Sequence, residues 1–151
     1  MTAKVIALHL KGARGSRPKP VDAVTGRVGG GIEGDRHVDK ETRSVLVVDR
    51  STLDDLGLAP GDLREQITIE GVRSVTTLEP GTHLRIGGIT LRVNGEAQPC
   101  THIGDLNGAE DVEVFRQSLL GRRGADCTVV TADAPARVGD RVEIATPAAV
   151  S

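Results

Sequence analysis

The amino-acid sequence predicts a mainly β fold with two or three short helices, and its glycine, proline and aromatic content supports that prediction. Nineteen glycines and seven prolines in 151 residues interrupt the chain at short intervals, which favours short strands over long helices. The chain has one Phe and no Tyr or Trp, so aliphatic side chains must form the core. The length fits one domain over residues 1–151, with a core at about 4–145.

Runs of β-branched or alternating apolar residues mark the expected strands. These runs lie at residues 4–10, 44–48, 67–69, 125–131 and 137–144, and the last of them contains a turn. Between the first two runs, residues 11–20 are basic and rich in turn formers, which predicts a solvated loop.

The clearest predicted unit is a β-hairpin at residues 82–93. A Gly-Gly pair at positions 87–88 separates two alternating runs, which is typical of a two-residue hairpin turn. This register directs four aliphatic side chains to the core: Leu84, Ile86, Ile89 and Leu91. It directs three polar side chains outward: Arg85, Thr90 and Arg92.

Two short helices are predicted from their start and stop signals. Ser51 begins the first in an arrangement like a capping box, and Gly57 ends it. The second has apolar residues at helical spacing over residues 112–119, with Phe115 expected in the core, and Gly121 ends it.

Charge and hydropathy exclude several classes of partner. The formal net charge is −2, with 19 basic and 21 acidic residues interspersed, so no nucleic-acid footprint is visible. The apolar run near the N-terminus is too short for a signal peptide or a membrane span, which predicts a cytoplasmic protein without a membrane partner. A disulfide between Cys100 and Cys127 would be unusual in that compartment.

A glycine-rich segment comes before the first group of candidate site residues. Glycines at positions 29, 31 and 34 fit G-x-G-x-x-G, but no predicted strand precedes them and no helix follows, so we reject a dinucleotide fold. The segment instead brings Asp35, Arg36 and His37 together, and functional residues concentrate on such loops. A polar surface loop is the alternative reading.

A second group lies where the chain enters the strand at 67–69. Arg64, Glu65 and Gln66 lead into it, and Thr68 faces away from its two isoleucine neighbours. The hydrogen-bonded backbone of a strand end can hold polar groups rigidly. A solvated strand entry explains the same residues equally well.

Cys100 follows a proline and is the candidate reactive atom. A thiol needs a base, a cation or a metal nearby to become a thiolate. His102 could be the base, because residues two apart in an extended chain lie on the same side. His37 is the preferred distant base, since Asp35 could orient it. Cys127 lies in an apolar strand and is predicted to be buried and inert.

Metal chemistry is the other option for Cys100. The chain has no C-x-x-C or H-x-x-x-H pair, so a structural zinc site is not expected. A soft thiolate could ligate a cofactor metal or carry a persulfide instead, with Arg and amide groups binding an anionic partner.

Five short motifs resemble, in order, those of the MOSC domain, which occurs in molybdenum-cofactor sulfurases, in amidoxime-reducing proteins and as small stand-alone proteins. They are G-I-E-G-D-R-H at 31–37, P-G-D-L-R-E-Q-I-T-I-E-G at 60–71, L-E-P-G-T-H-L-R-I-G at 78–87, P-C at 99–100 and V-G-D-R-V at 138–142. The resemblance covers nearly the whole chain.

The resemblance implies a β-barrel-like fold and assigns roles to residues. Cys100 takes the place of the family's characteristic cysteine, which ligates molybdenum in the reductases and is proposed to handle sulfur. Arg64, Gln66 and Thr68 fall where the motif places cofactor contacts, although Gln66 replaces the usual asparagine of E-N-I-T. The resemblance also implies that the loop at 35–37, with Asp35, Arg36 and His37, lines the cleft.

Three functions are compatible with these residues. The first is a stand-alone MOSC protein that handles sulfur or a molybdopterin-type cofactor through Cys100, with a small sulfur-containing or pterin ligand. The second is a metal-independent carbon–sulfur lyase or sulfurtransferase that uses Cys100 as nucleophile. The third is a non-catalytic binding module that uses the face of Arg85 and Arg92. The chain is expected to lack the reductases' N-terminal extension and the sulfurases' pyridoxal-phosphate domain.

Overall fold

Seven strands close into a β-barrel, as the sequence predicts. The structure, a computed structural model, describes residues 3–13, 16–99 and 101–147, with the backbone alone at 101 and 102. The strands are β1 (Ala3–Leu10), β2 (Lys19–Val21), β3 (Ala23–Val24), β4 (Val45–Asp49), β5 (Ile67–Glu70), β6 (His83–Ile86), β7 (Ile89–Glu96), β8 (Ala125–Ala132), β9 (Ala136–Arg137) and β10 (Arg141–Ala145). The helices are α1 (Arg50–Leu56), α2 (Thr101–Leu106) and α3 (Val112–Ser118), with a 3₁₀ turn at Val75–Thr77.

The strand order around the barrel is β10-β6-β7-β8-β4-β5-β1, and pairing of β1 with β10 closes it. The pair β4 and β5 is parallel, and the other pairs are antiparallel. The far end of β1 leaves the closing contact with β10 and pairs with β2 on that side instead, while Leu8 still pairs with Ile67 of β5. The chain that follows β1 therefore starts at the rim, close to the loop after β3.

The predicted hairpin register is confirmed. Ile86 pairs with Ile89 and Leu84 with Leu91, and all four side chains are fully buried. Arg85 and Arg92 are exposed. Thr90 pairs with Arg85 on the same outer face, as predicted, but it is only 9% exposed. Its strand lies between two others, and the Arg85 guanidinium covers its hydroxyl at 3.3 Å.

Apolar side chains form two clusters. The larger fills the barrel, and it includes Cys127, whose predicted burial is confirmed. The smaller lies outside the barrel, between β4 and the helices, because both faces of β4 are buried. Phe115, expected in the core, is only partly buried and packs against the smaller cluster.

The first helix begins earlier than predicted. Its N-cap is Asp49, the last residue of β4, whose carboxylate accepts the backbone N–H groups of Thr52 and Val75, each at 2.9 Å. The predicted start, Ser51, lies inside the helix, because the carboxylate of Asp49 is already in place to cap it. Gly57 ends the helix with φ 69°, as predicted.

Helix α2 was not predicted. The sequence suggested an extended polar loop after Cys100, and the argument that placed His102 beside the sulfur depended on that extended chain. The backbone is helical from Thr101, so that argument is wrong. Ile103 is fully buried in the smaller cluster, which holds this helix in place. Within the ranges described, no helix is long and apolar enough to span a membrane.

Candidate functional site

The carboxylate of Asp35 joins three segments of the chain. It is only 3% exposed, and it accepts hydrogen bonds from the backbone N–H of Lys11 at 2.6 Å, the backbone N–H of His37 at 2.9 Å and the Gln66 amide at 3.1 Å. Gly31 allows this arrangement, because a Cβ atom there would lie 2.9 Å from the Ser44 carbonyl oxygen. The end of β1, the loop at 35–37 and the entry to β5 therefore meet at one buried acid.

The side chains of Lys11 and His37 contact each other beside Asp35. The Nζ atom of Lys11 lies 2.9 Å from Nδ1 of His37. Burial lowers the pKa of Lys11 to about 8, with nearby Arg64 and Arg123 adding to the effect against the opposing charge of Asp35. Burial and then the charge of Lys11 lower the pKa of His37 to about 4. Near pH 7 the imidazole is neutral. Its Nδ1 therefore accepts a hydrogen bond from the Lys11 ammonium, and Nε2 carries the ring proton.

This geometry corrects the expected role of Asp35. The acid was predicted to orient the His37 imidazole, but it binds the backbone of His37, and the ring partner is Lys11. The prediction of a solvated loop after β1 is wrong at its first residue, because Lys11 is only 6% exposed. Arg36 is exposed, and its backbone N–H donates to the Lys11 carbonyl at 2.8 Å.

A strained turn holds Arg64 against this cluster. Arg64 is buried and has φ 62°, a left-handed conformation that costs a non-glycine residue about 1–2 kcal/mol. The adjacent Glu65 is fully buried, and its carboxylate accepts from the backbone N–H of Leu63 at 3.1 Å and the Thr68 hydroxyl at 3.0 Å. Burial raises the pKa of Glu65. The acid therefore closes the turn from behind and fixes the position of Arg64.

Gln66 and Thr68 lie behind the site. Both were predicted as ligand contacts, and both are fully buried. The Gln66 amide donates to Asp35 at 3.1 Å and to the Ser44 carbonyl at 3.0 Å, and its oxygen accepts the Leu46 N–H at 2.7 Å. These positions suit them to support Asp35 and Glu65, rather than to touch a ligand.

A cavity of about 70 Å³ opens beside Lys11 and His37. Its lining contains cationic, acidic, amide and apolar side chains: Lys11, His37, Lys40, Arg43, Leu46, Ala97, Gln98, Arg123 and Asp126. Arg123 spans its wall, because its two terminal nitrogens donate to the Gln98 carbonyl at 3.0 Å and the Leu63 carbonyl at 3.2 Å. Burial raises the pKa of Asp126, and Arg43 opposes that shift. Cations outnumber acids in this lining, so the cavity attracts anions.

The family comparison agrees with this architecture. The MOSC domain profile matches residues 34–143, which include the loop at 35–37, the strained turn and Cys100. The chain belongs to the MOSC domain family. A search of curated proteins gives no match.

Solved structures share the fold of this MOSC protein. The YUAD protein from Bacillus subtilis superposes with a TM-score of 0.83 at 22% identity, covering 95% of this chain and 96% of its own. YiiM from Geobacillus stearothermophilus has a TM-score of 0.71 at 13% identity, covering 95% of this chain and 75% of its own. YiiM from Escherichia coli has a TM-score of 0.66 at 18% identity, covering 95% and 70%. At these identities the likeness concerns the fold alone.

Of the two cysteines of the MOSC protein, the structure describes Cys127. Cys100 and the side chain of His102 lie outside the described residues. Gln98, two positions before Cys100 in the sequence, lines the cavity, and α2 begins one position after Cys100. Cys127 is fully buried in the barrel, and burial raises the pKa of its thiol. Among the residues described, no three His, Cys, Asp or Glu side chains group as a metal site.

Sequence reasoning missed Lys11 and favoured a helix-dipole role for Arg123 over contact with an anion, and both residues line the cavity. Lys11 follows His9 at strand spacing and is buried on the same side, which is the one local signal available. Arg122 and Arg123 follow α3, where the helix dipole favours cations. Arg122 fits that reading, since its Nε donates to the Ser118 carbonyl at 2.9 Å. Arg123 instead donates to the carbonyl groups of Gln98 and Leu63.

Proposed function

We propose that this MOSC protein handles sulfur through Cys100, with the cationic cavity binding the anionic part of the donor or cofactor. One observation supports the proposal above the others. A cavity lined by Lys11, Lys40, Arg43 and Arg123 extends to Gln98, two residues before the cysteine. Cationic surroundings favour the thiolate, which is the reactive form of cysteine.

The proposed step conserves atoms and electrons. The Cys100 thiolate attacks the outer sulfur of a persulfide or thiosulfate donor, and a new S–S bond forms. The donor's own S–S bond breaks, and the donor's thiolate or sulfite leaves with the electron pair. The Cys100 persulfide then gives its outer sulfur to an acceptor thiolate. Cations of the cavity would stabilise the negative charge on donor and leaving group.

The same cations fit a molybdopterin-type cofactor, which is the second candidate. Its phosphate would be held by Lys11 and Arg123, with Lys40 and Arg43 at the cavity edge, and Cys100 would be its protein thiolate ligand. A cavity of about 70 Å³ has room for a phosphate-sized group. When bound, that cofactor supplies two-electron redox chemistry at molybdenum.

Two measurements on one preparation test the proposal. The protein is expressed with added molybdate, incubated with thiosulfate and analysed by intact mass spectrometry and by elemental analysis. We expect an added mass of one sulfur atom that Cys100→Ser abolishes and Cys127→Ser retains, or bound molybdenum that Cys100→Ser removes. A protein with neither sulfur nor molybdenum on Cys100 would overturn the proposal.

A further inference from the structure

The charge of the cavity depends in part on one buried amine, that of Lys11. Arg43, Arg123 and Lys40 provide cations in the lining, and Asp126 is the acid among them. Lys11 is the buried member of this set, and its ammonium contacts the neutral ring of His37 at 2.9 Å. A neutral imidazole can accept a hydrogen bond but cannot compensate a positive charge.

The acid nearest Lys11 compensates this charge only in part. Asp35 is committed through its carboxylate to the backbone N–H groups of Lys11 and His37 and to the Gln66 amide. Arg64 and Arg123 both disfavour the charged amine through space, as does Lys40. A cation held in these surroundings gains stability from any anion that enters the cavity.

We propose that this cavity is a proton-coupled subsite for a small doubly charged oxyanion or thio-oxyanion group, and that Lys11 takes up a proton from solvent as the anion binds. The inference rests on the proposed function, because it names the ligand class of the same site. The class includes free sulfate or thiosulfate and the terminal phosphate of a larger molecule.

The size of the cavity limits the ligand. By the same measure of volume, one water molecule needs about 10–15 Å³, so a cavity of about 70 Å³ holds a few waters or one tetrahedral oxyanion. A larger ligand can place one such group inside and must leave the remainder outside.

The proton taken up goes to Lys11 and not to His37, because the pKa values of the two side chains differ. With a pKa of about 8, the Lys11 amine is partly neutral in mildly alkaline solution. His37 has a pKa of about 4, so the ring cannot compete for the proton. An anion raises the proton affinity of Lys11. The other cations around it are Arg43, Arg64, Arg123 and Lys40, and the acids Asp35 and Asp126 oppose binding.

Calorimetry in buffers of different ionisation enthalpy measures this coupling directly. Sulfate is the first probe, because it does not titrate in this range. At about pH 8.5 roughly three quarters of the amines are neutral, so we expect uptake of about three quarters of a proton per anion at saturation. At about pH 6.5 the amine is already charged, and the uptake should fall to nearly zero.

Substitutions at Lys11 separate its charge from its titration. Lys11→Met should weaken sulfate binding about tenfold, equivalent to one lost charge-assisted contact, and abolish proton uptake. Lys11→Arg keeps a charge that does not titrate, so binding should persist without uptake. Lys19→Met, at an exposed lysine of β2, is the matched control and should behave as wild type.

Three outcomes overturn the inference: no heat from sulfate or thiosulfate at tens of millimolar, binding whose heat is independent of buffer, or unchanged uptake in Lys11→Met. The first two use the wild-type protein and need no variant to fold. Tighter binding of sulfate or thiosulfate than of a phosphate monoester identifies a free anion as ligand, and the reverse order identifies a terminal phosphate. Cys100→Ser should retain proton-coupled sulfate binding although it cannot carry sulfur. Failure of the sulfur-transfer proposal can therefore be told apart from failure of this inference.

Discussion

Lys11 Nζ lies 2.9 Å from His37 Nδ1, so a buried amine has a neutral ring as its hydrogen-bond partner. Both residues are tied to Asp35 through their backbone N–H groups. The fold therefore fixes the two side chains together, while Asp35 compensates the positive charge only in part. Such an arrangement is costly for folding and useful for binding an anion, which is common at functional sites.

We expect Lys11→Met to stabilise the protein at pH 7. The pKa of Lys11 falls from 10.5 to about 8 on folding, so the unfolded chain binds more protons between these values. The cost of burying the charge is complete below about pH 8 and disappears as the pH rises towards 10.5. Urea denaturation should show a gain of about 1–3 kcal/mol at pH 7.

The pH dependence distinguishes this effect from a general gain of packing. At about pH 10 the stabilisation by Lys11→Met should be much smaller. Lys19→Met removes an exposed lysine and should change the free energy of unfolding little at either pH. A loss of stability in Lys11→Met at pH 7 would contradict the interpretation.

His37 should remain neutral to about pH 4. Its pKa is lowered on folding, first by burial and then by the charge of Lys11. The unfolded chain binds the proton below about pH 6.5, so stability should be lost as the pH falls from there towards 4. In ¹⁵N NMR the folded protein should show a neutral ring with the proton on Nε2. The Lys11→Met variant should raise the pKa of His37, and titration of the wild-type ring near pH 6.5 would rule out this environment.

Arg64 should tolerate glycine better than alanine. Its φ of 62° favours glycine, and the difference in free energy of unfolding should be about 1 kcal/mol in favour of Arg64→Gly over Arg64→Ala. At Asp54, an exposed position inside α1, the order should reverse, since glycine costs about 1 kcal/mol relative to alanine in a helix interior. The same order at both positions would show that the turn relaxes in the variants.

The sequence predicted the parts of the fold that depend on local pattern. The alternating hairpin fixed its own register, because a slip of one residue would expose Leu84 and Ile86. Helix α2 escaped prediction because it is one short segment of six residues after a Pro-Cys pair. Six residues are too few for the spacing of apolar side chains to distinguish a helix from a loop.

The site was predictable only in part. The glycine-rich loop indicated Asp35 and His37. In the structure His37 lines the cavity, and the buried Asp35 accepts the backbone N–H of His37. Lys11 and Arg123 could not be found in this way, because they meet only when the barrel closes. The chemistry of Cys100 stays a prediction that rests on the resemblance and on a cavity lined by Gln98, two positions earlier in the sequence.

Gln66 offers the sharpest test of the support behind the site. Gln66→Glu has nearly the same shape but replaces the amide that donates to Asp35 and to the Ser44 carbonyl with a carboxylate oxygen. Two buried donor contacts are lost and two carboxylates face each other, so we expect a loss of about 3 kcal/mol at pH 7.

Gln117→Glu is the matched control, because the Gln117 amide also donates to a carboxylate, that of Glu113, at 3.3 Å. That pair lies exposed on α3, where a like-charge contact costs about 0.5 kcal/mol or less. Urea denaturation of both variants at pH 7 measures the difference. Equal losses would mean that the Gln66 contact with Asp35 is not maintained in solution, and sulfate binding should then be unaffected by Gln66→Glu.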